Sequence, residues 1–215
     1  MFVAIPTRSK ERNGATARKW TLQQTYNVDV VASDPSTPDA TLLDIVANGS
    51  GRHVALVASN KGISAKVAEA IYADKPTHEI SGRLATNPAT PGSILEKIAN
   101  RYNMPGEENT ILVSKAARNP NLPVAVLLTM LPDLDYANYQ WTIELSPYKD
   151  ASLNPSAPIK ELLSSLKFMK DYETKLSVAK RRKSDILQYL ATNHGVTLVK
   201  PTPDSIVKAV RKLGL

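Results

Sequence analysis

Apolar positions come in short bursts at helical spacing, such as Leu42, Ile45 and Val46 or Ile94, Leu95 and Ile98, and each burst follows a polar cluster. These clusters superimpose. Five segments align: Val30–Asn48, Leu56–Asp74, Arg83–Arg101, Lys115–Asp133 and Asp150–Phe168. A small residue stands at Ala32, Ala58, Ala85, Ala117 and Ser152, and two positions on stand Asp34, Asn60, Asn87, Asn119 and Asn154. Proline follows at Pro35, Pro88, Pro120 and Pro155, and again at Pro38, Pro91, Pro123 and Pro158; the second segment has Lys61 and Ser64 instead. A weaker sixth copy is split between Leu190–Asn193 and Thr202–Leu213. Measured at the Asn position, the copies are spaced 26, 27, 32, 35 and, with the sixth, 39 residues.

Each copy predicts two helices. Proline lacks an amide hydrogen and drives the residue before it toward extended geometry, so a first helix stops at Asn-Pro. Thr37-Pro38, Thr90-Pro91 and Thr202-Pro203 read as a capping residue followed by the first residue of a second helix. One such pair cannot bury its apolar face alone, and stacking neighbours buries it, which gives a quasi-linear superhelix with a concave and a convex surface.

The pattern Leu-Ala-x-Asn-Pro-x-Thr-Pro-x-x-x-Leu-x-x-Ile-Ala, carried by Leu84–Ala99, resembles the leucine-rich repeat variant family. The resemblance covers roughly residues 28–168. It implies an all-α fold: helical segments paired and stacked into a right-handed superhelical solenoid. Some members of that family carry a cysteine-ligated iron–sulfur module, which a chain without cysteine cannot hold. Related HEAT-like and armadillo solenoids include both DNA binders and protein binders, so the resemblance leaves the function open.

Three parts are expected: a basic N-terminal arm and cap (1–27), five repeats (28–168) and a basic helical C-terminal region (169–215). Within the last, Met169–Asn193 reads as one helical region broken by Gly195, and a final helix runs from Pro203 to Leu213. The chain has 215 residues and a net charge of +7, distributed as +4 over residues 1–27, −4 over 28–148 and +7 over 149–215. An acidic body with basic ends invites a polyanion at the ends.

The candidate nucleic-acid contacts are Lys180, Arg181, Arg182 and Lys183, then Lys200, Lys208, Arg211 and Lys212, and in the N-terminal arm Arg8, Lys10, Arg12, Arg18 and Lys19. Their lysine and arginine chemistry suits phosphate contact more than base reading. A helix-turn-helix reader is disfavoured, because the connection from Asn193 to Pro203 is longer than such a turn. The alternative partner is a protein, held by the concave face and by the aromatic insert Tyr136, Tyr139, Trp141 and Tyr148. Those rings better suit packing, lengthening the first helix of the fifth copy and seating it on the fourth, because large aromatics usually go inside.

No catalytic constellation emerges, and a non-enzymatic protein without cofactor or metal is expected. His78-Glu79-Ile80-Ser81-Gly82 begins like a zinc-protease helix but has glycine where the second histidine belongs. Gly49-Ser50-Gly51-Arg52 is too short for a phosphate loop. The longest apolar stretch, Val124 to Leu131, is too short to span a bilayer, and MFVAIPTRSK lacks the apolar run of a secretory signal. With no cysteine besides, a cytoplasmic protein is expected.

Overall fold

The computed structural model describes residues 22–74, 76–100, 107–131, 147–168 and 172–215, all helix and connecting turn, with no strand among them. The aligned segments fold as helix pairs: α1 (Leu22–Ser33) with α2 (Asp39–Asn48), α3 (Gly51–Ser59) with α4 (Ala65–Asp74), and α5 (His78–Thr86) with α6 (Gly92–Ala99). They continue with α7 (Glu107–Arg118) and α8 (Val124–Met130), then α9 (Pro147–Ser152) and α10 (Ile159–Phe168). Last come α11 (Tyr172–Arg181), α12 (Lys183–His194) and α13 (Pro203–Lys212).

Successive odd-numbered helices pack on one another from α1 to α9, and α13 packs on α11. In a second row α2 packs on α4, α4 on α6, and α10 on α12. The core lies between the rows, where Leu42, Ile71, Leu84, Ile94, Leu95, Ile98, Leu112, Leu127 and Leu162 are fully buried. Burying one such side chain is worth about 1.5–3 kcal/mol, so adjoining pairs stabilise one another chiefly through this layer.

The polar motif has a precise mechanical meaning. Each Asn side chain donates to two backbone carbonyls of the preceding pair. Asn60 Nδ2 bonds Ala32 O and Asp34 O, both at 2.9 Å. Asn87 bonds Ala58 O and Asn60 O at 2.9 and 2.7 Å, and Asn119 bonds Ala85 O and Asn87 O at 2.9 Å. Asn154 reaches Ala117 O at 2.7 Å and Asn119 O at 2.8 Å. The small residue two positions before each Asn is therefore the acceptor for the next Asn, and a larger side chain there would hold the next helix away. Each Asn Oδ1 also accepts the amide two residues on, from Gly62, Ala89, Asn121 and Ser156, which shapes its own turn. The result is a continuous buried ladder joining pair to pair.

Asp34 heads the ladder and keeps only the accepting half of the motif. Its Oδ1 accepts Ser36 N at 2.9 Å and Ser36 Oγ at 2.7 Å. The backbone bond and then the hydroxyl hold its carboxyl below the usual carboxylate value.

Three expectations need correction. Thr37 and Thr90 do not cap α2 and α6: Pro38 and Pro91 occupy the cap position, and the threonine hydroxyls donate back to Val31 O (2.6 Å) and Leu84 O (2.7 Å). The Thr37 hydroxyl thus serves a carbonyl near the end of α1, and the Thr90 hydroxyl joins the Asn87 amide on Leu84 O. Thr202 does cap α13, in a reciprocal box with Ser205. Second, residues 172–194 are two helices, interrupted at Arg182. Third, Asn193 is no sixth rung, for its amide bonds Tyr189 O within α12. That rung is Arg182, whose guanidinium donates to Asn154 O at 2.5 Å and Ala157 O at 3.1 Å.

Candidate nucleic-acid interface

The C-terminal cations are placed by how α11 and α13 pack. Tyr172 begins α11 and Asp204 lies in the first turn of α13, and the Tyr172 hydroxyl donates to Asp204 Oδ1. The two packed helices therefore start together and run in the same direction. Both have 10 residues, so their last turns lie toward the same end of the pair. Thr174, Val178 and Ala179 of α11 and Ile206, Val207 and Val210 of α13 are their buried residues.

At that shared end stand Lys180 and Arg181 from α11, and Arg211 and Lys212 from α13. Lys183, the first residue of α12, joins them, because only Arg182 separates α11 from α12. All five are exposed. The nearby acid, Asp185, is engaged by Arg182 Nε at 2.7 Å. Cations at the ends of α11 and α13 also complement the negative pole of each helix, by about 0.3–1 kcal/mol apiece. This favours their positions without consuming their donors.

The other predicted cations fall elsewhere. Arg182 is 7% exposed and closes the Asn ladder, so it is withdrawn from the interface: its donors are spent on buried carbonyls and on Asp185. Lys200 lies in the connection before α13, at the opposite end from Arg211 and Lys212, with a positive φ of 49°. Lys208 is paired with Asp204 at 2.8 Å. Asp204 holds the Lys208 pKa above its ordinary value, while Lys208 and then Tyr172 hold the Asp204 carboxyl below its own. Arg8, Lys10, Arg12, Arg18, Lys19, Tyr136, Tyr139 and Trp141 lie outside the described residues, and Tyr148 lies in α9.

The near-misses take structural parts. Thr77 caps α5 by accepting Ile80 N at 3.3 Å, and Glu79 pairs with Arg83 at 2.9 Å. Ser50 caps α3 in a reciprocal box with His53, whose Nε2 lies 3.5 Å from Asp29 Oδ1. Asp29 Oδ2 in turn takes Arg52 at 2.6 Å. Among the described residues no group of His, Asp and Glu is gathered to hold a metal ion, and no helix is long and apolar enough to cross a membrane.

Sequence reasoning gave Tyr172 no part in this interface. The pairing of a 46% exposed tyrosine with an acid 32 residues away has no local signal. No protein-family model, no curated protein and no solved structure matches the chain.

Proposed function

We propose that this is a non-enzymatic nucleic-acid-binding protein that holds a phosphate backbone, DNA foremost, on the basic end of α11–α13. Its scaffold is a right-handed α-solenoid of the leucine-rich repeat variant type. The ladder supports the scaffold reading, since it joins each helix pair to the next by the same two bonds. The observation that carries the function is the Tyr172–Asp204 pairing, which aligns two helices so that five exposed cations from three chain positions share one end. Phosphate contact is the fitting chemistry, because exposed Lys and Arg tips place charge without the fixed geometry that base edges require.

The test is fluorescence anisotropy with labelled duplex DNA, at about 50 and 200 mM salt, comparing the wild type with Lys180→Ala/Arg181→Ala/Lys183→Ala. Five phosphate contacts correspond to a log–log salt slope of about −4.5, or a loss near 500-fold over that range, and the variant slope falls to about −2. Arg182 is left intact so that the variant keeps its fold. Absence of binding at low salt, or a variant that binds as tightly as the wild type, overturns the proposal.

A further inference from the structure

The charge separation read along the chain becomes a separation across the fold. Odd-numbered helices end and even-numbered helices begin at the Asn turns, and the ladder holds those turns in register along one edge. On that edge the otherwise acidic stretch loses its acidic excess. Within residues 28–131 it carries exposed Lys61 and Lys66, half-buried Lys115, and Arg118 paired with buried Asp150, against Asp34 and Asp39. Lys160, exposed in the first turn of α10, is matched by Glu161, and beyond it lie the five cations of α11–α13. Among the described residues the opposite edge has no such run of cations: there Asp74, Glu79, Glu96, Glu173 and Asp204 stand against Arg52, Lys97, Lys175 and Lys200.

The surface between these cations admits close approach. The exposed or half-buried residues directly after each Asn are Lys61-Gly62, Pro88-Ala89, Pro120-Asn121 and Pro155-Ser156, which apart from Lys61 are small or rigid, and none carries an aromatic ring on which unpaired bases would stack. Cross-bonds pin them, Asn121 Nδ2 to Pro88 O at 2.6 Å and Ser156 Oγ to Pro120 O at 2.7 Å. A stiff, regularly spaced edge matches a stiff partner, and duplex DNA keeps its direction over about 150 base pairs.

We infer that a DNA duplex lies along the edge of the Asn turns, from α13 to the α3–α4 turn, with Lys160, Lys66 and Lys61 as the phosphate contacts beyond the C-terminal cluster. This rests on the nucleic-acid reading above and extends it from one end to a track. Helices pack about 8–10 Å apart, so the steps from α3 to α9, the Arg182 link from the α9–α10 turn to the α11–α12 turn, and the step from α11 to α13 together span about 40–50 Å. At 3.4 Å per base pair that is about 12–15 base pairs, whereas the C-terminal cluster alone covers about 5.

The experiment uses the full chain with duplexes of about 8 and about 16 base pairs at one low salt concentration, with affinities corrected for the number of binding registers. The wild type is compared with Lys61→Glu/Lys66→Glu/Lys160→Glu and with the Lys180/Arg181/Lys183→Ala variant. The track requires the longer duplex to bind at least about tenfold more tightly, and the triple glutamate variant to remove that advantage while keeping its helical circular dichroism. Equal affinity for both lengths, with the glutamate variant unaffected, overturns the track and leaves the cluster standing. Failure of every duplex to bind overturns the cluster with it, and tighter binding of single strands of equal length overturns the duplex as partner.

Discussion

Arg182 does for Asn154 what Asn154 does for Asn119: its side chain donates to the carbonyl of the rung before it, Nη1 to Asn154 O at 2.5 Å and Asn154 Nδ2 to Asn119 O at 2.8 Å. An arginine in this place reaches a second carbonyl, Ala157 O, and still engages Asp185. Arg182→Ala takes the only side-chain donor from Ala157 O and leaves Asn154 O with just the amide of Ala157, at 3.1 Å, and costs about 1–3 kcal/mol. Lys180→Ala, Arg181→Ala and Lys183→Ala, at exposed positions, stay within about 0.5 kcal/mol of wild type. Urea unfolding of the four single variants separates the residue that ends the ladder from its neighbours in the same basic run.

The ladder also explains why its first member is an aspartate. A carboxylate accepts from Ser36 as well as an amide does, and Asp34 makes just those contacts. Asn87, by contrast, must donate to Ala58 O and Asn60 O while 4% exposed. Asn87→Asp sets a carboxylate against two buried carbonyls and destabilises by about 3 kcal/mol or more, whereas Asp34→Asn, which loses only the charge that strengthens the exposed Ser36 bonds, lowers the unfolding midpoint at neutral pH far less. Equal effects of the two substitutions would overturn the ladder as the link between helix pairs.

Most of this organisation is legible in the sequence. Ala32, Ala58, Ala85 and Ala117 with their Asn partners mark the rungs because small volume and amide chemistry are both required there, and chemistry of that kind leaves a fixed spacing. Loss of Pro at 61 and 64 did not obscure the second pair, since Ser64 accepts Val67 N at 3.3 Å and starts α4 without it. What escaped was substitution of function by a different residue type. Arg182 carries the ladder onward 28 residues after Asn154, but it sits inside a basic run and reads as surface charge. The candidate interface was legible in part for the same reason: its residues are conspicuous by charge, whereas Tyr172–Asp204, which brings them to one end, joins positions that no periodicity connects.

That pairing sets a pH window. Asp204 is held below the ordinary carboxylate value, so its contribution to stability is present above the unfolded value of 3.8 and is lost as pH falls through the depressed folded value. Tyr172 is pushed above 10.0, mainly by its bond to Asp204, and Lys208 above 10.5; their contributions are present below those values and are lost as pH rises through the folded ones. The α11–α13 bond thus holds across the neutral range and releases on both sides. Ultraviolet titration of phenolate is expected to show one late-ionising tyrosine that Tyr172→Phe removes. An unchanged alkaline limb in that variant would refute the assignment.

Gly62 and Gly51 make opposite demands in neighbouring turns. At Gly62 a Cβ would lie 2.0 Å from Pro35 O and 2.7 Å from Pro35 C, a collision with the backbone of the preceding turn that no rotamer relieves. The constraint is steric: helix pairs approach there until only a hydrogen fits. At Gly51, the first residue of α3, a Cβ would meet nothing within 4 Å. Gly62→Ala is therefore expected to push the first two turns apart, costing about 1–3 kcal/mol and weakening the Asn60 bonds to Ala32 O and Asp34 O. Gly51→Ala restricts the unfolded chain without strain and gains about 0.4–1 kcal/mol. Thermal unfolding of both variants checks the contrast, and amide exchange at Gly62 and Ile63 in an Asn60→Ser background tells whether the turn loosens by the same route. A Gly62→Ala protein as stable as wild type would mean that the turns are not in contact.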